Sequence, residues 1–165
     1  MNVFDTFNGL PVHVLVVHAV VVGIPLAALV TLAIAVRPRW ARRTAWWVLV
    51  LDLLVYGSAL VAKESGERLF TRLNGPQAAL AHTKLGETLP WYALGLAGAA
   101  LLLVLVHRLI GNRRERHAPG WLAALSALVV LAVGALAVVQ VVRTGDTGAR
   151  AVWGQTVTAT NHHGG

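Results

Sequence analysis

The sequence predicts an all-α, polytopic membrane protein, a four-transmembrane-helix bundle with an exterior, partly helical loop. Three observations carry this expectation. The 165-residue chain is 56% hydrophobic with a mean hydropathy of +0.65, above what a soluble domain of one core holds. Its apolar residues gather into four runs, Val12–Val36, Trp46–Ala62, Trp91–Val106 and Trp121–Val142, each near bilayer-spanning length. Arginines crowd the two short links, Arg37, Arg39, Arg42 and Arg43 in one, Arg108, Arg113, Arg114 and Arg116 in the other.

Positive residues in short loops mark the cytoplasmic side. The segment Lys63–Pro90 balances Lys63, Arg68, Arg72 and Lys84 against Glu64, Glu67 and Glu87. The expectation is a multi-pass protein of the bacterial plasma membrane with both termini outside. The net charge of +7 and pI near 11.3 are therefore explained by the bilayer surface, and no nucleic-acid partner is expected. There is no cysteine, which excludes disulfides, thiolate metal sites, iron–sulfur clusters and covalently attached c-type haem. Met1 is the only thioether, so histidine is the realistic ligand for any metal-containing group.

Residues 1–10 read as an exterior lead-in, capped at Asn8 or Gly9, with Pro11 in the first helical turn. Ala33-Ile34-Ala35 resembles a signal-peptide cleavage site, yet no Lys or Arg precedes the first run and its apolar core is too long. The first run is read as a retained helix. Pro25 should kink it by removing the bond to Val21. The second helix starts after Arg43 with Trp46 and Trp47 at the inner interface, and carries Asp52, Tyr56 and Ser58. In the exterior loop 63–90, Glu64–Leu73 reads as a short surface helix and Asn74-Gly75-Pro76 as a turn. Gln77–Leu89 then leads into the third helix, bent at Gly86 and Pro90. Gly95 and Ala99 give that helix small-xxx-small spacing, and Gly134 marks tight packing in the fourth. Residues 144–165 read as an exterior tail, partly disordered. The whole, 1–165, is one domain.

Counting about twenty residues outward from the arginines for a ~30 Å hydrocarbon core brings His13, His18, His82, Glu87 and Gln140 to one level at the outer face. Asp52 falls near mid-bilayer. His13 and His18 lie about 140° apart around one helix, so they cannot readily share an ion as an i, i+4 pair does. A site built from one histidine of the first helix and one from elsewhere is better suited to facing helices, and His18 with His82 are the expected axial ligands of a b-type haem. The competing expectation is that His13, His18 and His82 hydrogen-bond backbone, water or headgroups. No metal site made by protein ligands alone is expected, and no catalytic constellation is recognisable. His107 and His117 fall at the inner edge, and His162 and His163 in the tail. Asp52 is either a proton relay or, as favoured here, a protonated acid hydrogen-bonded to another helix.

The segment Phe7-Asn-Gly-Leu-Pro-Val-His-Val-Leu-Val-Val-His18 resembles the opening helix of the bacterial membrane proteins called domain of unknown function 2231. That family begins its first helix with a His-Pro-x-x-x-His-like pattern; here Val14 follows His13 where proline is common. Gly66-Glu-Arg-Leu, His82-x-x-x-Gly86 and Gly145-Asp-Thr-Gly-Ala-Arg-Ala-Val-Trp153 are similar to the actinobacterial branch. The resemblance implies four spans, and carries over His13 and His18 and, less closely, His82. Related domains stand beside Rieske or c-type cytochrome modules, which implies a membrane redox setting.

The functional expectation is thus a haem-binding or quinone-associated electron-transfer subunit, working with a quinone or a redox protein partner. The alternative is a non-redox scaffold or accessory subunit with structural histidines. The orientation is directly testable in this cysteine-free chain. Single cysteines placed between residues 63 and 90 should react with an impermeant thiol reagent on intact cells, and those in either arginine link only after lysis. The opposite pattern would invert the topology.

Overall fold

The computed structural model describes residues 6–7, 10–111 and 120–161. Five α-helices follow a two-residue ladder in which Thr6–Phe7 (β1) pairs antiparallel with Leu10–Pro11 (β2). The helices are α1 (Val12–Ala35), α2 (Pro38–Arg72), α3 (Leu80–Gly86), α4 (Leu89–Gly111) and α5 (Gly120–Asn161). Among the described residues four stretches are long and apolar enough to cross a membrane: Val12–Ala35, Arg43–Arg72, Gln77–His107 and Ala124–Gly154. They form an up-down-up-down bundle in which α1 packs on α2 and α5, and α4 packs on the same two helices from the other side. One end of the bundle carries the α1–α2 and α4–α5 links and is called the arginine end. The other carries the start of α1, α3 and the far ends of α2 and α5.

The core is small and the outside is large, the reverse of a soluble bundle. Ala27, Ala28, Ala59, Ala93, Ala97, Ala100 and Ala137 are buried, whereas Leu26, Leu29, Leu54, Leu128 and Leu136 are exposed. Lipid solvates leucine as well as a core does, so association relies on close packing and small residues let backbones approach. A Cβ built on Gly134 of α5 would lie 3.1 Å from the Ala28 Cβ of α1, and one on Gly23 of α1 would lie 3.2 Å from Val55 of α2. Gly95 is likewise pressed against Val133 of α5. Tryptophans sit exposed toward both ends of the bundle, Trp46, Trp47 and Trp121 at the arginine end and Trp91 at the other; indole rings favour the headgroup level.

The elements differ from the sequence expectation in five places. The second helix begins at Pro38 rather than after Arg43, with proline in its first turn. Pro11 is the N-cap of α1 rather than a first-turn residue, and the proposed caps Asn8 and Gly9 lie outside the described residues. Glu64–Leu73 is no separate surface helix, because α2 runs on to Arg72. Two ion pairs at i, i+4 spacing support the continuation, Lys63–Glu67 at 2.9 Å and Arg68–Glu64 at 2.8 Å. Gln77–Ala79 is a 3₁₀ turn leading into α3, and a turn at Glu87–Thr88 separates α3 from α4. The segment after Arg143 is also not a loose tail as far as Asn161, since α5 continues without interruption; residues 162–165, with His162 and His163, lie outside the described residues.

The turn expected at Asn74-Gly75-Pro76 is present and its geometry explains the stop. Gly75 N–H reaches the Phe70 carbonyl at 3.0 Å and Asn74 N–H the Thr71 carbonyl at 3.1 Å, a Schellman pattern. It needs a left-handed residue, and Asn74 supplies it with φ 58°. This turn folds the 3₁₀ segment and α3 back against the ends of α2 and α5.

Candidate functional site at the α3 end

The site is built by two histidines that reach the same place from different helices. His13 lies in the first turn of α1 and its Nδ1 is 2.9 Å from the carbonyl oxygen of Ala62 on α2. His82 lies on α3 and its Nδ1 is 2.9 Å from the carbonyl oxygen of Thr144 on α5. A carbonyl only accepts, so in each bond Nδ1–H must be the donor. Each neutral ring is thereby left with an Nε2 lone pair that no group among the described residues uses. The two ring centroids are 6.2 Å apart, with the planes at 77°.

Glycines make room for both rings. A Cβ on Gly66 of α2 would lie 2.9 Å from Cε1 of His13, and one on Gly148 of α5 would lie 2.9 Å from Nδ1 of His82. Any side chain there would displace the imidazole. This explains two helix glycines that cost propensity in the polar extensions of α2 and α5. Between the histidines and the outer wall lies a mostly apolar recess of about 140 Å³, bordered by Val17, Ala59, Phe70, Leu73 and Leu89. Lys63, Glu67, Thr83 and Glu87 stand at its border.

His18 does not join this pair. Its Nδ1 donates to Val14 O at 2.6 Å within its own helix, and the residue is exposed. The structure therefore sets His13, not His18, beside His82; the 140° between the two α1 histidines is what separates them. His107 donates from Nδ1 to Leu103 O at 2.8 Å, and its buried Nε2 has no partner among the described residues. It lies toward the arginine end of α4, and His117 is outside the described residues. Among the described residues no group of three or more His, Asp or Glu side chains is placed to hold a metal ion.

Two further polar positions bear on the site. Gln140 of α5, expected at the same depth, donates from Nε2 to Thr88 Oγ1 at 2.7 Å and to Leu85 O at 3.2 Å. It fixes the α3–α4 turn to α5. Asp52 of α2 is 1% exposed, and Thr31 of α1 donates its hydroxyl to Asp52 Oδ2 at 3.0 Å. Asp52 Oδ1 has no partner among the described residues. Thr31, the only hydroxyl in the first run, was the available signal for this contact and sequence reasoning passed over it; Gly66 and Gly148 were likewise not connected to the histidines.

Residues 9–161 match the family described as predicted membrane protein, DUF2231. The chain belongs to this family. Comparison with curated proteins and with solved structures returns no match. DUF2231 membership covers all four spans and both histidines of the pair, and its description assigns them no chemistry.

Asp52→Asn tests the structural reading of the buried acid. The amide oxygen still accepts the Thr31 hydroxyl, so stability in detergent should change by less than about 1 kcal/mol. Wild-type thermal unfolding of the purified variant is the expected result. Failure to fold would show that the carboxyl group itself is required.

Proposed function

We propose that this chain is a membrane electron-transfer subunit in which His13 and His82 would hold a b-type haem through their Nε2 atoms. One observation carries the proposal: two imidazoles from different helices have Nδ1–H engaged by backbone carbonyls and Nε2 unengaged, with centroids 6.2 Å apart. Backbone acceptors at Nδ1 are how ligand histidines are commonly oriented, and they raise the basicity of the other nitrogen. A bare ion asks the protein for three or four ligands, whereas a haem brings its equatorial nitrogens and needs only axial ones. The two donors suit a haem, but the recess they line, about 140 Å³, is too small to hold one without widening. When bound, it would supply one-electron chemistry, exchanged with a quinone or a redox protein partner at the same membrane surface.

A second reading has its own support. The recess is about 140 Å³, below the ~300–1,000 Å³ usual for small-molecule sites, so haem binding requires it to widen. In the second reading the histidines are clasps of a non-redox accessory or scaffold subunit, tying α1 to α2 and α3 to α5. The arginine density of the two short links supports an orientation in the bacterial plasma membrane with the histidine pair on the outer side.

A spectrum separates the two readings. Protein purified from haem-replete cells should show a Soret band that shifts on reduction. His13→Ala and His82→Ala should each abolish or alter it; His18→Ala and His107→Ala should not. Absence of the band leaves the clasp reading as the account of these residues.

A further inference from the structure

At the arginine end, far from the histidines, the α1–α5 seam opens outward as a wholly apolar groove of about 570 Å³. Leu29, Leu32 and Val36 line it from α1 and Ala124, Leu128 and Leu131 from α5. From Leu29 to Val36 it runs about 10 Å along the helix. Its mouth is polar. Arg37 follows Val36 directly, and its guanidinium lies 4.4 Å over the exposed ring of Trp40. Trp121, also exposed, stands one turn before Ala124 on the other wall. Among the described residues no carboxylate pairs with Arg37. In the sequence, the two links at this end hold eight arginines and one acid, Glu115. The charge must be balanced from outside the protein.

We propose that this groove is a binding site for an anionic phospholipid, with one acyl chain along the α1–α5 seam and the phosphate at Arg37. Three features match the ligand in order of depth. The groove walls contain no polar side chain, so they suit hydrocarbon. Trp40 and Trp121 sit where indoles meet headgroups. The guanidinium stacked on Trp40 belongs to the residue directly after groove-lining Val36 and has no carboxylate partner among the described residues, so it can donate to phosphate oxygens. Both α2 and α5 also begin at this end, which adds positive helix-dipole potential. A zwitterionic headgroup gains far less from such a field, so the site distinguishes lipids by charge.

The test uses the full chain in detergent, incubated with equal amounts of phosphatidylglycerol and phosphatidylcholine of identical chains, and native mass spectrometry of the lipid retained. Wild type should retain phosphatidylglycerol preferentially. Arg37→Gln should reduce that preference about fivefold. Ala33→Phe and Ala124→Phe fill the groove from exposed positions outside the core and should abolish retention while circular dichroism and elution volume stay unchanged. Equal retention of both lipids overturns the proposal. So does a preference indifferent to all three substitutions, which would assign it to the other arginines. A shift from dimer to monomer in the phenylalanine variants would also overturn it, since the groove would then belong to a second copy of the chain.

Discussion

Hydrocarbon offers no hydrogen-bond partner, and nearly every feature of this bundle follows from that constraint. Main-chain groups close their bonds within helices. Hydroxyls in or near the spans bond back to the preceding turn, as Ser58 does to Leu54 O and Ser126 to Leu122 O. Groups too long or too polar for that solution bridge helices instead: Thr31 to Asp52 in the middle, Gln140 to the α3–α4 turn, His13 and His82 to carbonyls of α2 and α5. Each bridge satisfies a donor that would otherwise cost several kcal/mol in a bilayer. Each also fixes one helix against another, so polar satisfaction and tertiary architecture are one constraint.

Small residues make those bridges reachable. Gly23, Gly95 and Gly134 let the spans approach closely, and Gly66 and Gly148 leave space for two imidazole rings. Because α2 and α5 continue as rigid helices past the apolar runs, the histidine site rests on regular backbone rather than on loops. That is the kind of support on which a ligand geometry can be held within fractions of an ångström.

The four spans were legible from hydropathy and length, and the turn at Asn74-Gly75-Pro76 from its residue types. The ends of helices were not. Hydropathy marks where a bilayer would end, not where a helix ends. Glu64–Leu73 therefore read as a separate short surface helix and residues 144–165 as a tail, although i, i+4 ion pairs such as Lys63–Glu67 and Asp146–Arg150 extend α2 and α5. Depth counting placed His13, His18, His82 and Gln140 at one level but carried no information about azimuth. His18 and His13 differ by about 140° around α1, and only the packing of α1 on α2 decides which of them turns toward α3. Asp52 was visible as an anomaly, while its partner Thr31 was a single residue in a run of twenty-four.

The central claim is that His13 and His82 form one site, each held in the Nδ1–H tautomer by a backbone carbonyl, with both Nε2 lone pairs open. Nitrogen-15 solid-state NMR of histidine-labelled protein in lipid bilayers measures this directly, with His13→Gln and His82→Gln variants to assign the resonances. The account predicts protonated Nδ1 and unprotonated Nε2 at both residues of the ligand-free protein, and a through-space correlation between the two rings. An Nε2–H tautomer at either residue, or no correlation between the rings, would contradict it.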